Sequence, residues 1–234
     1  MELSEIAYFK EPGIINTTRL LAQARKQVET LEVKHAVIAG TTGHTVKEFL
    51  KVFKGIEINT NVATMEKGSV MPVKFLYTKY AHSRAIREDF NKKGMEHFPI
   101  SLQEEILAEL KAQNVKVFHV PDPLGIGPTM GPDDEKRRIK TKLDAFLPKH
   151  LRPLDIEAGA DLSLLNIISK GFRVAIGIAA VATGHGLVPK GDKILTIAGT
   201  GWAGGGADTA IIVKAHESPI KCYVKAIIGF PIEK

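Results

Sequence analysis

Cysteine is almost missing from this chain: Cys222 is the only one in 234 residues. A single thiol cannot build a disulfide framework or a cysteine-rich zinc site. The eight histidines (His35, His44, His82, His97, His119, His150, His185 and His216) are scattered with no H-x-x-x-H pair, so no metal site is expected. Aromatic residues are few, at 6%, and Trp202 is the single tryptophan. No apolar run approaches the roughly 18 residues of a membrane span. The start, MELSEIAYFKEPG, lacks the basic flank and apolar stretch of a secretory leader. The expectation is a cytoplasmic protein with no membrane contact. Hydrophobic residues at 44% and charged residues at 25% are globular values and exclude overall disorder.

The charge is +6, with 32 Lys and Arg against 26 Asp and Glu, which raises a nucleic-acid reading. The excess concentrates between Asp133 and Arg152, where seven cations stand against four acids. Its segment DDEKRRIKTKLDAF spaces Ile139, Leu143 and Phe146 as a helix would, with acids leading and bases following as the helix dipole prefers. A solvated amphipathic helix accounts for it, and no aromatic-interleaved basic strand accompanies it. No nucleic-acid partner is expected.

Hydrophobic spacing organises the rest. After Pro12-Gly13, Asn16 reads as the N-cap of a helix through Arg19, Leu20, Leu21, Ala24 and Val28. HAVIAG (35–40) reads as a buried strand, VKEFLKVF as a helix and GIEINTNVAT (55–64) as the next strand. Together they form a βαβ unit with a parallel, right-handed crossover. VKFLYT (73–78) reads as a strand, and Ser101 with Glu104 as a capping box opening a helix. VKVFHV (115–120) reads as a strand, followed by a Pro/Gly loop. The apolar stretch 161–182 suits a buried helix; ILTIAG, AIIVKA and KCYVKAIIGF suit strands. The sum is one α/β domain over 1–234, three-layered α/β/α around a mostly parallel mixed sheet, with a less typical insertion at about 65–157.

Two glycine-bearing loops carry the chemistry. GTGWAG (199–204) matches the dinucleotide fingerprint G-x-G-x-x-G, but a β-like run follows it where the phosphate-binding helix should be. GTTGHT (40–45) has the better context, lying between a strand and a helix. The orphan N–H groups and dipole of a helix start favour an anion there, and Thr41, Thr42 and Thr45 add hydroxyl donors. It has no P-loop lysine, and a plain N-cap with a tight turn is the alternative. No catalytic residue is assigned.

Taken together, these loops resemble the C-terminal α/β domain of pyruvate kinase. That domain has a strand ending in a Thr-x-x-Gly-x-Ser/Thr phosphate loop before a helix, as in KHAVIAGTTGHTVKEFL. It then carries Gly-Asp, a strand, Gly-Trp and a glycine-rich turn, as in GDKILTIAGTGWAGGGADTAIIV. The chain resembles still more closely a group of stand-alone archaeal and bacterial proteins built on that domain. YFKEPGIINTTRLLAQAR, GTTGHT, ATGHGLVP and GGADTAIIVKAH carry this likeness, over residues 7–64 and 160–234. The resemblance implies a pyruvate kinase C-terminal-like fold without kinase activity, binding flavin mononucleotide (FMN). Where pyruvate kinase has an arginine after the tryptophan, this chain has Ala203, which weakens the case for a sugar bisphosphate and favours a one-phosphate ligand.

The resulting expectation places FMN at the carboxyl ends of the strands. Thr41, Thr42, Gly43, His44 and Thr45 would take the phosphate. Gly201, Trp202, Gly204, Gly205 and Gly206 would form a second wall, and Asn16 with Thr17 would close the near edge. Trp202 has core packing as its alternative. A flavoenzyme and a non-catalytic sensor of another phosphorylated metabolite both remain open, as does a homo-oligomer.

Overall fold

A computed structural model describes residues 5–120, 165, 168–201 and 204–233. The expected basic helix at 133–152, the Pro/Gly loop before it, Trp202 and Ala203 lie outside the described residues.

A seven-stranded sheet organises the molecule, in the order β1-β9-β8-β7-β2-β3-β6. The strands are β1 (Ala7–Phe9), β2 (His35–Ala39), β3 (Asn59–Met65), β6 (Lys116–Val120), β7 (Lys193–Ala198), β8 (Thr209–Lys214) and β9 (Tyr223–Pro231). All neighbours pair in parallel except at β8, which is antiparallel to both β7 and β9. The sheet is therefore mixed but mostly parallel, as the sequence led us to expect. Ala36, Val37 and Ile38 in β2, and Thr209 to Val213 in β8, are all buried, because helices cover both faces.

On one face lie α1 (Thr17–Leu31), α2 (His44–Val52) and α4 (Glu104–Ala112). Leu20, Leu21, Ala24 and Val28 of α1 recur at helical spacing and pack on Ala36, Ile38, Leu195, Ile197 and Ile212. Phe49 and Phe53 stack within the same core at 4.0 Å between ring centroids. The opposite face is covered by α5 (Lys170–Gly184). Its Phe172, Ala175, Ile176, Ile178, Ala179 and Ala182 pack on Val37, Ala63, Ile194, Ile211 and Val213. Ser169 caps α5, its hydroxyl accepting from the Phe172 N–H at 3.0 Å.

Between β3 and α4 the chain forms a small cap. Strands β4 (Val70–Pro72) and β5 (His97–Pro99) pair antiparallel, and α3 (Ala81–Lys92) packs with them on Met71, Val73, Leu76 and Phe98. The segment 73–78, expected as a strand, is instead a single 3-10 turn over Val73–Phe75 followed by irregular, bent chain. Val73 and Leu76, three residues apart, both turn into the cap core, a spacing that a strand cannot serve. The expected capping box is also absent. Helix α4 starts at Glu104 behind Gln103 with no side-chain cap, and Ser101 is buried in the approach to it. Asn16 does precede α1, but it already has helical angles because a 3-10 turn (Ile14–Asn16) leads into it. Its side-chain amide donates to the Glu11 carbonyl at 2.6 Å and makes no cap bond.

Candidate functional site

Strands β2 and β7 lie side by side and parallel, and the chain diverges from them in opposite directions across the sheet. The connection from β2 leads to β3 and β6; β7 leads to β8 and β9. This is a topological switch point, where the loops from the carboxyl ends of adjacent strands part and leave a crevice.

The loop from β2 is short. Gly40 extends the ladder by donating to the Ala63 carbonyl at 2.7 Å. Gly43 then takes a left-handed conformation (φ 81°) as the N-cap of α2. A Cβ there would lie 2.7 Å from Ile106 Cδ1, so glycine lets α4 pack against the turn. The helix ladder begins with the Lys47 N–H donating to Gly43 O at 3.0 Å, and the N–H groups before it have no acceptor one turn back. Thr42 is exposed, and its Oγ1 lies 3.5 Å from the His44 N–H; Thr41 and His44 are half-buried. Thr45 is 6% exposed, tucked inside the first turn of the helix.

The loop from β7 is built on a buried acid. Asp208 is 0% exposed. Its Oδ2 accepts from the Gly13 and Thr200 N–H groups, both at 2.9 Å, and its Oδ1 accepts from the Thr209 hydroxyl at 2.9 Å. Burial pushes this carboxyl above its ordinary range, while the Thr200 N–H, the Thr209 hydroxyl and the Gly13 N–H pull it back. Beside it, the buried Thr17 hydroxyl donates to the Ala207 carbonyl (3.1 Å) and accepts from the Ala207 N–H (2.9 Å). One carboxylate and one threonine thus tie the glycine-rich loop to the chain leaving β1.

Between these ties, Gly204, Gly205 and Gly206 all have positive φ, and each meets a different wall. Cβ atoms built on them would lie 2.4 Å from Ile86 Cδ1 of the cap, 3.9 Å from the Thr42 side chain, and 2.4 Å from Ile14 Cα, respectively. The structure therefore brings together most of the residues singled out in the sequence. Thr42 and Gly205 adjoin across the crevice, and Thr17 anchors the glycine loop. Gly201 is exposed at the start of the turn. Asn16 is buried and engaged with Glu11.

Sequence reasoning missed the cap. Tyr77, Tyr80, His82 and Ile86 come from it to the carboxyl edge of the sheet. Lys170 at the start of α5 donates to the Tyr77 hydroxyl, and the Lys79 ammonium pairs with Glu233 at 3.1 Å just beyond β9. It also missed Asp208, although an acid just before a strand with a buried apolar run (Asp208 before TAIIV) is the mark of a buried, hydrogen-bonded carboxylate. Among the described residues, no group of three His, Cys, Asp or Glu side chains is placed to hold a metal ion. No described helix is long and apolar enough to cross a membrane. No protein-family model matches the chain.

Proposed function

We propose that the chain binds FMN at the switch-point crevice, with the phosphate at the start of α2, and that it has no pyruvate kinase activity. One observation carries this reading: the N–H end of α2, whose His44 N–H makes only a long 3.5 Å contact to Thr42 Oγ1, and the glycine turn 204–206 face each other from neighbouring parallel strands, with Thr42 against Gly205. An anion at the helix start would be met by the N–H groups of His44, Thr45 and Val46 and by the Thr42 hydroxyl. Gly204 and Gly206 are closed off by Ile86 and Ile14, and Gly205, with nothing nearer than the Thr42 side chain, leaves the backbone a ring would lie against. Ala203, in place of an arginine, offers no guanidinium fork for a second phosphate. The pyruvate kinase C-terminal-like fold expected from the sequence belongs to the same proposal, because that domain also uses a strand-to-helix loop for phosphate. Bound FMN would supply hydride and single-electron chemistry, and this chain's residues would orient it and exclude water.

The test is the absorption spectrum of the purified protein, followed by titration with FMN and, separately, with fructose bisphosphate. A flavin spectrum or saturable FMN binding is expected. Tight bisphosphate binding with no response to FMN would overturn the reading.

A further inference from the structure

The cap contributes one polar pair that the fold itself does not explain. His82, on the first turn of α3, has Nδ1 3.6 Å from the Glu11 Oε2 atom, and its side chain is 13% exposed. Its Nε2 is buried with no hydrogen-bond partner. A buried imidazole nitrogen left unpaired is costly, and such groups recur where a ligand completes the bond. The surroundings hold the ring still. It stacks on Tyr80 at 5.9 Å between centroids and 15° between planes. The Glu11 carbonyl is fixed by the Asn16 amide, and Gly13, two residues on, is held by Asp208.

The pair also stands in the right place. Ile86, one helical turn beyond His82 on α3, touches Gly204, and Ile14, three residues after Glu11, touches Gly206. The glycine turn thus has Thr42 on one flank and the elements carrying His82 and Glu11 on the other. The Tyr80 hydroxyl oxygen is likewise buried. The Lys79 ammonium lies over the Tyr80 ring, 5.4 Å from its centroid, and burial raises the phenol above its ordinary range against the pull of that cation.

A carboxylate facing Nδ1 at 3.6 Å favours hydrogen on that nitrogen, and the neutral ring then carries its lone pair on Nε2. We propose that Glu11 and His82 form the polar contact for the non-phosphate end of the ligand. His82 Nε2 accepts a hydrogen bond from a ring N–H or a hydroxyl, and Glu11 acts as its positioning residue. This rests on the FMN reading and extends it, because it predicts that the ring portion reaches across the glycine turn to the cap.

The experiment is calorimetric titration of the wild-type chain and of His82→Leu, His82→Gln and Glu11→Gln with FMN and with riboflavin, which lacks the phosphate. Folding of each variant is checked by circular dichroism. His82→Leu should weaken both flavins by the same factor, about tenfold, the scale of one buried hydrogen bond. His82→Gln, which keeps a polar atom near Nε2, should recover part of that loss, and Glu11→Gln should fall between. On the wild-type chain, the His82 imidazole resonances should move when riboflavin is added, a readout that needs no variant to fold. Flavin binding untouched by these substitutions, with unmoved His82 resonances, would overturn this inference and leave the FMN reading intact. A wild-type chain that binds neither flavin would overturn both.

Discussion

The loop after β2 runs into a helix, while the loop after β7 runs into an antiparallel strand, and the two are held in opposite ways. The first has one left-handed glycine, an exposed Thr42 and helix N–H groups with no acceptor one turn back, of which the His44 N–H has a long 3.5 Å contact to Thr42 Oγ1. The second has three consecutive left-handed glycines, a fully buried Asp208 with three donors, and a buried threonine bonded to both the N–H and the carbonyl of Ala207. One loop leaves its polar groups available, and the other consumes them internally. The difference separates a surface built to receive a ligand from a scaffold that fixes where the ligand lies. It follows that substitutions in the second loop should chiefly lower stability, and those in the first should chiefly alter binding.

The sharpest way to break the comparison is Gly199→Ala. Its Cβ would lie 1.9 Å from the Gly206 carbonyl oxygen, a backbone atom that cannot step aside. We expect a loss of more than about 4 kcal/mol in urea unfolding, or no folded protein at all. Asp208→Ala comes next, at about 3 kcal/mol, because the Gly13 and Thr200 N–H groups would stay buried without acceptors. Gly43→Ala, in the first loop, should cost about 2 kcal/mol: the left-handed backbone is strained, and Ile106 Cδ1 and Cγ2, at 2.7 and 2.9 Å, must both shift, which a side chain can do where the Gly206 backbone cannot. Equal losses for Gly199→Ala and Gly43→Ala would erase the distinction between the loops.

A smaller effect concerns pH. Burial holds the Asp208 carboxyl above its ordinary range, so between that range and its folded value the native state binds more protons than the unfolded one. Stability from this group is therefore complete below the unfolded carboxylate range and declines as pH rises through the raised value. Relative to Asp208→Asn, which cannot titrate, the wild-type chain should gain stability on going from about pH 7 to about pH 4.5. A constant gap in urea unfolding across that window would show that the three donors outweigh burial.

Much of the sheet was legible because strands buried on both faces write themselves as short apolar runs, as in HAVIA, KILTIA and TAIIVK. Helices α1 and α2 were legible from spacing. Strand β1 was not, since three residues at a sheet edge leave no periodic trace. The cap was opaque for a related reason: its core is assembled from single apolar residues in short pieces, none long enough to set a period. In the site, glycines and threonines could be read as turn chemistry, but the contacts of Asp208 and His82 join residues 195 and 71 positions apart, and no local pattern encodes such a meeting.

The central claim, that the loop after β2 holds the ligand's phosphate, is tested most directly by Thr42→Glu. Thr42 is exposed beside the helix start, so a carboxylate there suits the dipole and leaves the fold intact while occupying the anion's place. Calorimetry on the folded variant should show FMN weakened by about 2 kcal/mol, roughly thirtyfold, with riboflavin changed by less than about twofold. Equal losses for the two ligands, or none for FMN, would contradict the account.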